Sequence, residues 1–197
     1  FSSSTDPWQP IERKFRITRR VLHSMLKKAP DVLILQTHSS MIMEDLELIV
    51  ALSKQCALRV HLTIEGDQDS LPGLPSPPCS VEKRISIAKE LASTGITVVV
   101  CMSPLYPLLD PSYFFSRLVE SGVSAVVIDH FIKGDGTQNG SRTRRTKLPI
   151  AIAAFDKHAE KLSYREKIAT IAARYLPVGI SSSGFAGHYA FRSEFKA

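Results

Sequence analysis

The sequence predicts an α/β fold in which parallel strands alternate with crossover helices. Short β-branched apolar runs recur between amphipathic stretches of helical length. Each run is almost continuously apolar rather than alternating, as strands covered on both faces are. The stretches between them carry helix start and stop signals.

Taken in order, Ile11, Phe15, Leu22, Met25 and Leu26 mark an apolar stripe that predicts a first helix within Ile11 to Lys28, its basic residues forming a solvated face. Val32 to Gln36 is the first predicted strand, and Glu44 to Lys54 the next helix. Leu58 to Ile64 follows as a strand. Ser80 then precedes Val81, Ile85, Ala88 and Leu91, an N-cap ahead of helical spacing that stops near Gly95. Thr97 to Met102 is the third strand. Pro111 to Ser121 is a helix with proline in its first turn and Gly122 at its end, and Ala125 to Ile128 is the fourth strand. The rhythm then lapses into the basic, glycine-rich loop 133–147, before a helix from Ser163 to Tyr175 and a short terminal segment, VGISSSGFAGHYA. Such an order calls for right-handed crossovers, in either an open doubly wound sheet or part of a β/α barrel. Periodicity does not choose between them. No linker splits the chain, so 1–197 reads as one domain. Phe1 to Pro7 reads as the tail of a preceding strand and its loop, which predicts a fragment missing its first strand.

Composition narrows the classes. The chain has 197 residues, 44% hydrophobic and 22% charged, ample for one core and too apolar for a disordered tail. No window of ~18 apolar residues exists, and the opening FSSSTDPWQP lacks the regions of a signal peptide, so a cytoplasmic protein is expected. Cys56, Cys79 and Cys101 lie too far apart for a disulfide framework or a CxxC metal clip. The net charge of +6 is concentrated. Ile11 to Lys28 carries +6 and Lys133 to Lys147 carries +4, leaving −4 elsewhere. A focused positive field attracts phosphate-bearing partners, although a charged helix face is also simply a solvated one.

In a parallel β/α fold, ligands sit at the carboxyl ends of the strands. Those ends carry Thr37 and His38, Thr63, Glu65 and Asp67, Ser103 and Pro104, and Asp129 and His130. Thr63 and Glu65 share one side of a strand, so both could reach one ligand, or Glu65 could cap a turn. His38 could titrate, or be held in a structural hydrogen bond. Asp129 and His130, being adjacent on a strand, point to opposite faces and are not expected to form a dyad. Arg142, Arg144 and Arg145 in the glycine-rich loop could wrap an anion, or belong to a surface tract. Neither GxGxxG, GxxxxGK[ST], zinc spacing nor GxSxG occurs.

Longer patterns add a resemblance. Thr5-Asp6-Pro7, Gln9-Pro10, Glu12 and Thr18-Arg19 match a TDPYQPxE…TR stretch, with Trp8 in the aromatic position. DVLILQTHSSMIMEDLELI is similar to IQTKSxLxLRDLDLL, and LRVHLTIEGD to a strand that usually reads VxVSITT. SVEKRISIAKELASTGITVVVCMSPLYP is similar to SPxxRLxAIxxLxxAGIxVxVxxxPIIP, through Arg84, Leu91, Gly95, Pro104 and Pro107. In this order the motifs resemble those of the radical S-adenosylmethionine proteins related to spore photoproduct lyase, the DNA repair photolyase-like group. The matches run from residue 2 to about residue 110. Two positions depart from the pattern: His38 stands where the family has Lys, and Glu44 where it has Arg.

The resemblance implies a partial β/α barrel of the radical type, S-adenosylmethionine as cofactor, and a 4Fe-4S cluster in the full-length parent. The cluster's CxxxCxxC loop is absent from this sequence, and the resemblance places it upstream. It implies that Ser3, Ser4 and Thr5 meet the cofactor's amino group. Thr37 and His38 would lie near its carboxylate, Thr63 and Glu65 at its ribose, and Ser103 and Pro104 beside its adenine. A nucleic-acid lesion or another phosphate-bearing substrate, and a reductant protein for the cluster, are the implied partners. Two other readings remain open: a non-catalytic module that binds a phosphorylated ligand through the basic loop, and a barrel enzyme using Glu65, Asp67 and Asp129 as acid/base groups or magnesium ligands.

Overall fold

A computed structural model describes residues 5–191. Its centre is a five-stranded, wholly parallel sheet: β1 (Val32–Thr37), β2 (Ala57–Thr63), β3 (Thr97–Met102), β4 (Ala125–Ile128) and β5 (Val178–Ile180). The strands lie in sequence order, β1-β2-β3-β4-β5. A doubly wound sheet reverses its order at a switch point; among the described strands there is none.

The helices are α1 (Glu12–Phe15), α2 (Ile17–Lys27), α3 (Leu46–Ser53), α4 (Val81–Ser93), α5 (Pro111–Glu120), α6 (Phe131–Gly134), α7 (Leu148–Phe155), α8 (Leu162–Ala172) and α9 (Ser181–Phe185). One large core joins Leu35, Val60, Leu62, Val98, Val100, Val126 and Ile128 of the sheet to Leu22, Ile49, Leu52, Ala88, Leu91, Phe115 and Ile168 of the helices. A second, small cluster occupies the opposite face: Val99, Cys101, Ala125 and Val127, packed by Phe185 and Tyr189. The sheet is therefore sided. Long helices cover one face, and α9 with the chain after it covers the other. Burial follows this asymmetry. Strands β3 and β4 are buried at nearly every position, as the continuous apolar runs predicted. Strand β1 alternates, with Ile34 and Gln36 half-exposed on the face that the C-terminal segment leaves uncovered.

Local signals act as read. The Ser80 hydroxyl accepts the Lys83 amide, and Gly95 ends that helical segment at φ +85°. Pro111 stands in the first turn of α5 as expected, and the structure adds an N-cap, Asp110, whose carboxylate accepts the Tyr113 amide. Three expectations need correction. The first helix is broken at Arg16, which adopts left-handed φ/ψ (49°, 39°) between α1 and α2. The stripe therefore loses its phase, leaving Ile11 and Phe15 about half exposed while Leu22 is buried. The helix expected from Glu44 begins instead as a 3₁₀ segment, Ser40–Asp45, before α3. The terminal segment contributes a fifth strand and α9, which its glycines and serines hide from a periodicity count. No described helix is long and apolar enough to cross a membrane.

Candidate functional site

Three polar constellations line the carboxyl-terminal rim of the sheet. The first is built on Asp6. Its carboxylate accepts the Thr37 hydroxyl (2.7 Å), the His38 amide (2.9 Å) and the Trp8 amide (2.8 Å), and faces His38 Nδ1 at 3.1 Å. The same turn is knotted further. Trp8 Nε1 donates to Asp45 (2.9 Å), Arg19 donates to the other Asp45 oxygen (2.5 Å), the Thr18 hydroxyl donates to the Pro7 carbonyl, and the Thr18 amide donates to Glu12 (2.7 Å). The TDPWQP, Glu12 and Thr18-Arg19 pattern thus folds the entry loop onto α2 and the end of β1. Thr37 is buried and committed to Asp6; His38 is exposed. Thr5 lies at the surface beside this knot, whereas Ser3 and Ser4 fall outside the described residues.

At the end of β2, Thr63 is buried and Glu65 is held by Arg84, whose Nη1 donates to Glu65 Oε2 (2.6 Å) and to the Thr63 carbonyl (2.8 Å). Arg84 is 2% exposed, and its Nε has no partner. Burial raises the Tyr106 phenol pKa, and the Glu65 charge beside it adds to the shift. Asp67 accepts the Leu109 and Asp110 amides, so it clamps the loop after β3.

The third constellation joins the ends of β3, β4 and β5. Asp129, 5% exposed, accepts the Ser181 hydroxyl (2.6 Å) and the Ser103 hydroxyl (3.2 Å). Arg165 donates to Ser181 Oγ (3.0 Å), and Ser181 stands at φ +45°, a left-handed conformation rare for a residue with a side chain. A cleft of about 130 Å³ opens here, lined by Ser103, Pro104, Asp129, Phe131, Gly134 and Thr143 among others. His130 also borders the cleft, but both its ring nitrogens are engaged elsewhere: Nε2 meets the Ala159 carbonyl, and Nδ1 accepts the Ile132 amide. Burial lowers its pKa. The two neighbours form no dyad, for the strand-alternation reason.

The basic loop folds back onto this cleft. Asp135 binds the Thr137 hydroxyl and the amides of Thr137 and Thr143, contacts that hold its carboxyl well below the usual range. Arg144 lies over the Phe131 ring and donates to the Asn139 carbonyl, and Arg142 reaches towards the Asp135 carbonyl. Arg142, Arg144 and Arg145 are exposed. The structure thereby brings Ser103 and Pro104 together with the loop, while Thr37 and His38, and Thr63 and Glu65, stand at separate points of the rim. Sequence reasoning missed Asp6, Asp45, Ser181 and Arg165 as organising residues. The quoted motifs contained Asp6 and Asp45, but Ser181 and Arg165 carried no signal, because only the fold places them beside Asp129.

Cys101 lies on the sheet face beneath Tyr189, where burial, reinforced by the Asp129 charge, pushes its thiol pKa far up. Cys56 donates to the Leu52 carbonyl, and Cys79 is buried ahead of α4. Among the described residues no group of three or more His, Cys, Asp or Glu side chains is placed to hold a metal ion.

Fold and site together define a singly wound parallel α/β protein with a polar carboxyl-terminal rim. The chain is 34% identical over 118 residues to the uncharacterized protein MJ0683 of Methanocaldococcus jannaschii, a match covering 59% of this chain and 44% of that protein. It therefore matches less than half the length of that relative. No protein-family profile matches the chain, and no solved structure does.

Proposed function

We propose that this chain is part of a radical S-adenosylmethionine protein of the spore photoproduct lyase-like type, acting in its full-length form on an organic substrate, with a nucleic-acid lesion as the first class to test. The observation that carries the reading is the coincidence of the ordered motifs with the rim. Asp6, Thr37, His38, Glu65, Arg84 and Ser103 come from four separate motifs and all fall at or beside carboxyl ends of the strands. The single winding, with long helices on one face, suits the wall of a partial barrel.

The three thiols of this chain do not fit a cluster, since they stand apart and Cys101 is sealed in the sheet. The reading therefore assigns the cluster ligands to sequence outside these residues. Bound, the cofactor would supply a 5′-deoxyadenosyl radical for hydrogen abstraction. This chain's part is positional. The Asp6 knot sets the end of β1, Arg84 fixes Glu65, and the unpartnered Arg84 Nε is a buried donor directed by that pair. The test is anaerobic expression of the longer parent reading frame, with iron, sulfide and S-adenosylmethionine cleavage measured. A cluster and cleavage support the reading; a parent without CxxxCxxC, or without cleavage when iron-loaded, overturns it.

A second reading, a phosphate-binding module, would rest on the exposed Arg142, Arg144 and Arg145 of the basic loop and not on the cleft beside it, whose lining carries the Asp129 and Asp135 carboxylates. The acid/base or magnesium reading has no such support, because Glu65 is held by Arg84 and Asp67 by two amides.

A further inference from the structure

Asp129 is a buried carboxylate whose hydrogen bonds both come from neutral hydroxyls, Ser181 and Ser103. No Lys, Arg or His among the described residues lies within ion-pair distance of it. The nearest cation in its network, Arg165, reaches it only through the Ser181 hydroxyl and forms its own ion pair with Glu166 (2.6 Å). A carboxylate offers about four acceptor positions, of which two are filled here. Burying such a charge without a countercharge is costly.

The surroundings hold that cost in place. Gly134 passes so close that a Cβ would lie 2.5 Å from both Asp129 oxygens. Ser181 presents its hydroxyl from a strained backbone at the end of a strand whose Gly179 packs directly on Gly184. The carboxylate also lines the 130 Å³ cleft, whose Phe131 wall is apolar. An uncompensated buried charge on the wall of a cleft marks a site completed by its ligand.

We propose that this cleft is a binding site for the ammonium group of a small primary amine, with Asp129 as countercharge, the Asp135 carboxylate on the same lining, and Ser103 as the hydroxyl that orients it. A metal ion is the poorer occupant, since among the described residues no group of three or more His, Cys, Asp or Glu is placed to hold one, and Asp135 in the lining is already engaged by Thr137 and Thr143. The inference is independent of radical chemistry: it concerns the 197-residue chain without iron or S-adenosylmethionine.

The probes are n-butylammonium chloride and n-butanol, alike in shape and different in charge, titrated at constant ionic strength and followed by NMR shifts of the Ser103, Phe131 and Gly134 amides. Butylammonium should bind at least about tenfold more tightly than butanol, with Asp129→Asn abolishing that preference. Asp129→Asn should also raise Tm, because it removes an uncompensated buried charge. Ser103→Ala should keep the fold and weaken amine binding several-fold. Equal binding of the two probes, retention of the preference in Asp129→Asn, or displacement of butylammonium by equimolar magnesium would overturn the site. A fall in Tm on Asp129→Asn would make the carboxylate a structural anchor instead. Because no outcome involves a cluster, loss of this site leaves the radical reading standing, and the reverse holds too.

Discussion

His61 offers a pH test of how the C-terminal segment closes the sheet face opposite the long helices. It sits on β2, fully buried, with Nε2 2.9 Å from the Tyr189 hydroxyl and Nδ1 without a partner. Burial, and secondarily the charge of Arg59, lowers its pKa from 6.5 to about 4. Protonation would make both ring nitrogens donors, and Nδ1 has nothing to donate to. A base whose folded pKa is depressed binds fewer protons folded than unfolded between the two values, so its contribution to stability is lost as pH falls through that window. From the shift, acidification from pH 7.0 to pH 4.5 should cost about 2 kcal/mol through His61 alone.

Other carboxylates titrate as well, so the measurement is a difference. Urea unfolding of the native chain and of His61→Phe is compared at both pH values. The native midpoint should fall by about 1 M more than the variant's, for an m-value of about 2 kcal/mol/M. Loss of the Tyr189 hydrogen bond lowers the variant's stability at both pH values and drops out of the comparison. Parallel falls in the two proteins would refute the reasoning, because the imidazole would then titrate alike folded and unfolded.

Three further outcomes follow from packing and pairing. Gly134→Ala should destabilise the chain by about 1–3 kcal/mol in thermal unfolding, because its Cβ meets both Asp129 oxygens. Trp8→Phe removes the indole donor from buried Asp45 and should cost about 1–3 kcal/mol, whereas Gln9→Ala on the exposed side of the same motif should be near neutral within about 0.5 kcal/mol. Arg84→Met frees Glu65, which is only partly exposed, and should cost about 2–4 kcal/mol at neutral pH; additional Glu65→Gln should recover part of that loss in a double-mutant cycle.

How far the site was legible depends on how its parts are joined. Thr37, Glu65, Ser103 and Asp129 were found because strand ends are legible from apolar runs, and parallel sheets collect ligands there. Their partners were not. Asp6 and Thr37 are 31 residues apart, and Ser181 and Asp129 are 52 apart. No local periodicity encodes a bond of that span. The broken first helix was missed because a stripe can be counted through Arg16, although the left-handed turn there redirects the chain.

The amino-acid sequence by itself determined the parallel strands and their crossover helices. Apolar runs such as Thr97–Met102, and caps such as Ser80 and Asp110, act through neighbours a few residues away. Tertiary structure decided the order of the sheet, its sidedness, and the folding of the basic loop onto the Asp129 cleft. Those features rest on which face of a strand meets which distant segment. The alternation of Val98, Val100 and Val126 towards the helices, and of Val99, Cys101 and Val127 towards Phe185 and Tyr189, acquires meaning only once the strands lie side by side.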